Sequence, residues 1–208
     1  MTRDLFGTRQ QMRLRIATLA ARLIAQDGIT DYSVAKRKAA RQAGAPDSRH
    51  LPTNVEIDEA VRAYQALYQS DEHPERVRRM RELALEMMRL LESFDPHLTG
   101  SVLSGSVGRH GEIHLQLYTD SRKQLELFLI NRQIPFRVRE SRMWSGDVSI
   151  VAPTLLTATE DTDFAITVLS PQHRRQPLRI SLEGRPLERA SIPTVELLLA
   201  SVDSSSGN

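Results

Sequence analysis

The segment LTGSVLSGSVGRHGEIHLQLYT, residues 98–119, changes character halfway along. Its first half is rich in glycine and serine, the composition of turns. From Glu112 to Tyr118 polar and apolar residues alternate strictly, which predicts a strand with one buried face. Side chains alternate across a strand, so Glu112, His114 and Gln116 share one face and Ile113, Leu115 and Leu117 the other. A glycine-rich turn thus leads into a strand that carries an acid and a histidine side by side.

Outward toward the C-terminus, Asp120 or Ser121 caps a helix running to about Arg132, with Leu125, Phe128 and Leu129 inward. Pro135–Met143 reads as a strand, Trp144–Asp147 as a turn, and Val148–Val151 as the returning strand. Asp163–Leu169 alternates again, with Phe164, Ile166 and Val168 on one face and Asp163, Ala165 and Thr167 on the other. Leu178–Leu182 adds a further strand, and Ser191 with Pro193 opens a last helix ending near Val202. These elements predict an α+β fold, with a mixed sheet and flanking helices over residues 97–202 and a disordered polar tail over 203–208.

Outward toward the N-terminus, residues 1–96 read as a helical module. Met12, Ile16, Leu19, Ala20 and Leu23 fall at helical spacing, with Gly28 as the stop. Ser33 caps a short helix over Val34–Ala43, ended by Gly44 and Pro46. Thr53 and Glu56 have the spacing of a capping box for a helix to about Gln69, whose buried stripe is Ile57, Ala60, Val61, Tyr64, Leu67 and Tyr68. Val77, Met80, Ala84, Met87, Leu91 and Phe94 mark a longer helix from about Pro74, which the 3-4 rhythm predicts to pack on another helix. The Ala-rich helices before Pro46 resemble the opening of a helix-turn-helix repressor, although Pro46 to Pro52 interrupts where a recognition helix would follow.

Gly100, Ser101, Gly105, Glu112, Ile113, His114 and Leu115, read as G-S-x(3)-G-x(6)-E-I-H-L, resemble the signature of the nucleotidyltransferase superfamily. Small members carry a Gly-Ser turn, a glycine four residues after the serine, a strand with two carboxylates one residue apart, and a third carboxylate on a neighbouring strand. The resemblance implies nucleotide or nucleic-acid binding at Gly100, Ser101, Gly105 and Arg109. It implies Glu112, His114 and Asp163 in the catalytic positions, with Mg²⁺ or Mn²⁺ held through Glu112 and His114. The chain departs from the pattern where His114 fills the second acidic slot and Ala165 stands mid-strand. A hard cation prefers oxygen ligands, so the departure implies transfer activity that is weak or lost.

Two other readings stand beside this one. His110, Glu112 and His114 at alternate positions would suit Zn²⁺, Fe²⁺ or Mn²⁺, but Gly111 interrupts and assigns His110 to the turn. Alternatively the helical module is an adaptor or regulator that binds protein or DNA, with the C-terminal domain as scaffold. Residues 1–50 hold 10 basic and 4 acidic groups and residues 51–98 hold 6 and 10, so the formal charge of +2 conceals an uneven distribution. The chain has no cysteine, which excludes disulfides and thiolate metal sites, and no phosphate-binding loop of the G-x-x-x-x-G-K-[ST] type. No long apolar run is present, so the expectation is a cytoplasmic protein without membrane contact.

Overall fold

The computed structural model describes residues 2–27, 29, 32–45, 51–68, 72–108, 111–180 and 186–205. Four helices come first: α1 (Thr2–Ala25), α2 (Tyr32–Gln42), α3 (Asn54–Tyr68) and α4 (Glu72–Leu90). A curled mixed sheet flanked by helices follows, which is the expected α+β class. Packing divides the chain into two compact units, Met1–Pro74 with Ser106–Gly111, and Glu75–Gly105 with Glu112–Asn208. Sequence patterning groups α4 with the other helices; packing groups it with the sheet. An apolar stripe tells which face is buried and leaves open whether a helix or a sheet covers it.

In the helical unit α1 packs against both α2 and α3. The core is dominated by small residues, with Ala20, Ala21, Ala35, Ala39 and Ala40 fully buried around Ile16, Ile57 and Val61. Side chains this small let helix backbones approach closely at native density. Helix α2 starts at Tyr32, so Ser33 lies inside it and is not the cap. It ends in paired bonds from Gly44 N to Arg41 O and from Ala45 N to Ala40 O, the Schellman arrangement. The capping box of α3 is formed: Thr53 N donates to Glu56 Oε2 at 2.7 Å and Glu56 N to Thr53 Oγ1 at 3.3 Å. Arg13 grips the same carboxylate at 2.7 Å, and together these donors pull the Glu56 carboxyl down to about 2.

Leu67, expected in the buried stripe of α3, is 75% exposed. The stripe turns instead through Gln65, whose Nε2 donates to Val107 O at 2.9 Å and more weakly to Ser106 O. Ser106–Gly108 is therefore a buried strap in the helical unit. Asp58 accepts hydrogen bonds from the Tyr32 and Ser106 hydroxyls, and burial beside this carboxylate pushes the Tyr32 phenol up. A Cβ on Gly108 would stand 2.7 Å from Ile24 O, so only glycine lets the strap lie this close to α1.

In the sheet unit α4 is followed by a 3-10 turn (Glu92–Phe94) and by Asp95 in the left-handed region. The chain then runs through β1 (Pro96–Thr99), α5 (Gly100–Ser104), β2 (Ile113–Tyr118), α6 (Arg122–Asn131), β3 (Arg137–Ser145), β4 (Val148–Ala158), β5 (Asp163–Leu169), β6 (Leu178–Arg179) and α7 (Ile192–Ser205). The strand order is β1-β2-β5-β4-β3-β6, with β2 and β5 parallel and the other pairs antiparallel. Ser121 caps α6 by accepting from Gln124 N. Strand β4 continues beyond Val151, and α7 beyond Val202 to Ser205. Pro153 is tolerated within β4 because β5 pairs only with Thr154–Ala158, so no ladder bond is asked of the proline on that side.

The two faces of the sheet differ. One carries Leu98, Ile113, Leu115, Leu117, Phe164, Ile166 and Leu155, each at most 1% exposed. On the other, pairing aligns His97, Gln116, Thr167, Thr154 and Arg139 in one row across five strands. Next to it runs the row Thr99, His114, Ala165, Leu156 and Arg137. Farther along the same face Tyr118, Met143, Ala152, Leu169 and Leu178 form a small apolar cluster.

Candidate functional site

Strand β1 delivers the chain to Gly100 and α5, and β2 returns antiparallel with Thr99 opposite His114. Gly100 has φ +75°, and a Cβ there would come 3.3 Å from His114 Cδ2. Glycine is thus required both by the backbone and by the imidazole packed on it. The chain leaves α5 through Gly105, whose N–H bonds to Ser101 O. Arg81 of α4 closes the same end, donating from Nε to Val102 O at 3.1 Å and from Nη2 to Leu103 O at 2.9 Å. These bonds satisfy carbonyls that a five-residue helix cannot satisfy itself. Ser101 is half-buried, and its hydroxyl donates no hydrogen bond among the described residues.

Glu112 lies immediately before β2, and its Oε2 is 3.5 Å from His114 Nε2. Burial pushes the His114 imidazole below its ordinary pKa; Arg139 reinforces the shift and Glu112 opposes it. The shift favours the neutral ring, the form able to accept a proton or ligate a metal. Arg139 belongs to a strand three places away in the sheet order.

The parallel register pairs Ile113 with Phe164 and His114 with Ala165. Asp163 consequently precedes Phe164 as Glu112 precedes Ile113, on the same face of adjacent strands, and it is exposed at the strand end. The expected residues Gly100, Ser101, Glu112 and His114 come together around the turn, with Asp163 on the neighbouring strand. Arg109, and His110 of the alternative metal reading, lie outside the described residues. Among the described residues no three His, Asp or Glu side chains form a group able to hold a metal ion. The donor pair present, one carboxylate and one neutral imidazole, fits Mn²⁺ better than Mg²⁺; Mg²⁺ itself is often held by one or two protein ligands plus substrate phosphates.

Sequence reading passes over Arg81, which carries no motif and whose role depends on α4 lying beside α5. It also passes over Arg189. Arg189 Nη1 donates at 2.7 Å to the Tyr118 hydroxyl, which in turn donates at 2.7 Å to Gln116 Oε1. The alternation of β2 puts Gln116 on the His114 face, and that was the available signal. Among the described residues no helix is long and apolar enough to cross a membrane. No protein-family model, curated protein or solved structure matches this chain.

Proposed function

We propose that the sheet unit is a nucleotidyltransferase-like domain that binds a nucleotide or a nucleic-acid end in the cytoplasm, with transfer activity weak or lost. One observation carries the reading: the Gly-Ser turn lies directly on the strand position that its signature pairs it with, Gly100 against His114, and Glu112 stands 3.5 Å from that imidazole. Asp163, in line with Glu112 on the parallel neighbour, supports it. Glu112 and His114 would hold Mn²⁺ or Mg²⁺. The ion, when bound, supplies charge neutralisation at the phosphate. His114 would spend its one lone pair on the ion, while Ser101 offers its hydroxyl to a phosphate oxygen. An imidazole in place of the second carboxylate weakens the grip on a hard cation, hence the reduced transfer chemistry.

The test is calorimetry of the full chain with ATP, GTP, CTP and UTP, each with Mg²⁺, Mn²⁺ or chelator. Metal-dependent binding of one nucleotide, weakened about tenfold by Glu112→Gln, is the expected outcome for loss of one charged ligand. A folded protein that binds none of the four would end this reading.

A second reading rests on α2, where Arg37 and Arg41 are exposed four residues apart and make no ion pair among the described residues. In that reading the helical unit binds DNA or an acidic protein. Charge reversal at both positions that leaves DNA binding unchanged would remove its DNA form.

A further inference from the structure

The polar face of the sheet carries donors for which the unit offers no acceptor. Thr154 Oγ1 donates to Ser141 Oγ at 2.7 Å and also lies 3.0 Å from Thr167 Oγ1. A hydroxyl has one hydrogen, and that of Thr154 is committed to Ser141, so Thr167 is the donor in the second bond. The relay runs from Thr167 through Thr154 to Ser141 and ends on the Ser141 hydrogen, which meets no acceptor among the described residues. Ser141 shares its face of β3 with Arg137 and Arg139, at alternate positions. Both arginines are exposed and make no ion pair or hydrogen bond among the described residues, whereas Arg79, Arg81, Arg89, Arg122 and Arg189 of the same unit are engaged.

Gln116 carries a separate orphan donor on the same face, three strands from Arg139. Arg189 can only donate, so the Tyr118 oxygen accepts from it and the Tyr118 hydrogen goes to Gln116. Gln116 must therefore present its oxygen to Tyr118, which fixes the amide and leaves Nε2 without a partner on a residue 2% exposed. Among the described residues, strand β6 pairs with β3 only at Trp144 and Ser145. Charges that merely guard an edge against pairing need no hydroxyl relay aimed at the same face.

We propose that this face is an oxyanion site for a small phosphate-bearing ligand, held by Arg137, Arg139 and the Ser141 hydroxyl. Alternate residues of a strand are about 7 Å apart, a spacing that lets the two guanidinium groups take separate phosphates of a di- or triphosphate. The inference needs neither Glu112 nor a metal and goes beyond the nucleotidyltransferase-like reading.

The experiment is calorimetry of the full chain with inorganic tripolyphosphate in chelator, with an AMP arm and a duplex DNA arm. Tripolyphosphate binds, and Arg139→Gln weakens it about tenfold, the loss of a charge-assisted bond. Ser141→Ala weakens it about threefold, the loss of a neutral bond. Arg142→Gln, on the opposite face, stays within about twofold, the range of a distant screened charge. If Arg139→Gln does not fold, Arg139→Lys takes its place, with a few-fold loss expected because the fork is lost and the charge kept. Binding of AMP that responds to the same variants identifies a nucleotide as the phosphate source and supports the site. No tripolyphosphate binding by the folded protein, or equal weakening by Arg142→Gln, overturns it. Tighter binding of duplex DNA with no response to Ser141→Ala also overturns it. Because chelator is present throughout, failure here leaves the metal-dependent reading standing, and the reverse holds.

Discussion

Each unit buries one glutamine almost completely, Gln65 in the helical unit at 1% exposure and Gln116 in the sheet unit at 2%. They use opposite ends of the amide. Gln65 donates to the strap carbonyls and leaves its oxygen without a partner; Gln116 accepts from Tyr118 and leaves its nitrogen without one. The difference matters physically, because buried orphan donors are rarer in folded proteins than acceptors with a lone pair to spare. Gln65 is a fastener, whose work is finished inside the fold. Gln116 holds a donor fixed by the bond from Tyr118 and left unsatisfied inside the fold.

Four measurements break or sharpen this contrast. Leu115 adjoins Gln116 on the apolar face, and Leu115→Ala is expected to cost about 3–4 kcal/mol by denaturant unfolding, as for other fully buried leucines. Gln65→Met comes next at about 2 kcal/mol, since it strands the Val107 and Ser106 carbonyls inside the helical unit. Gln116→Met should fall within about 1 kcal/mol of wild type, because the orphan nitrogen it removes offsets the Tyr118 hydrogen it strands. A loss as large as that of Gln65→Met would make Gln116 a fastener too and erase the distinction. The smallest effect is electrostatic. The Glu56 carboxyl, at about 2 when folded and 4.5 when unfolded, contributes stability that is present above pH 4.5 and lost as the pH falls toward 2. With both partners more than a third exposed the contribution is about 0.5 kcal/mol, checked as the difference in acid stability between wild type and Glu56→Gln.

The sequence was legible where local chemistry decides structure. The bounds of β5 follow from alternation, the start of α3 from Thr53 and Glu56, and the start of α6 from Ser121. It was illegible where a distant partner decides. Leu67 reads as core because periodicity cannot tell that Gln65 is wanted by the carbonyls of a strap some forty residues away. The strand read as Val148–Val151 continues to Ala158, past a proline whose missing N–H costs little only because of where β5 stops pairing. At the candidate site the Gly100, Glu112 and His114 grouping was visible from one short stretch. Arg139 was visible only as a charge on a strand, since its place on the His114 face depends on the order and register of the strands between them.

Ser106–Gly108 has a consequence for how this protein can be taken apart. The chain leaves the sheet unit after Gly105, lodges in the helical unit, and returns at Glu112. A scissor cut at Pro74 would therefore not yield two modules. The helical fragment would lose the carbonyls that Gln65 holds and the hydroxyl that Asp58 accepts from, and the other fragment would carry Val107, fully buried in the intact chain, as an apolar loop in water. Any insertion, deletion or fusion that respects the linear order of helices and strands still meets this stitch. The two halves are heritable only together.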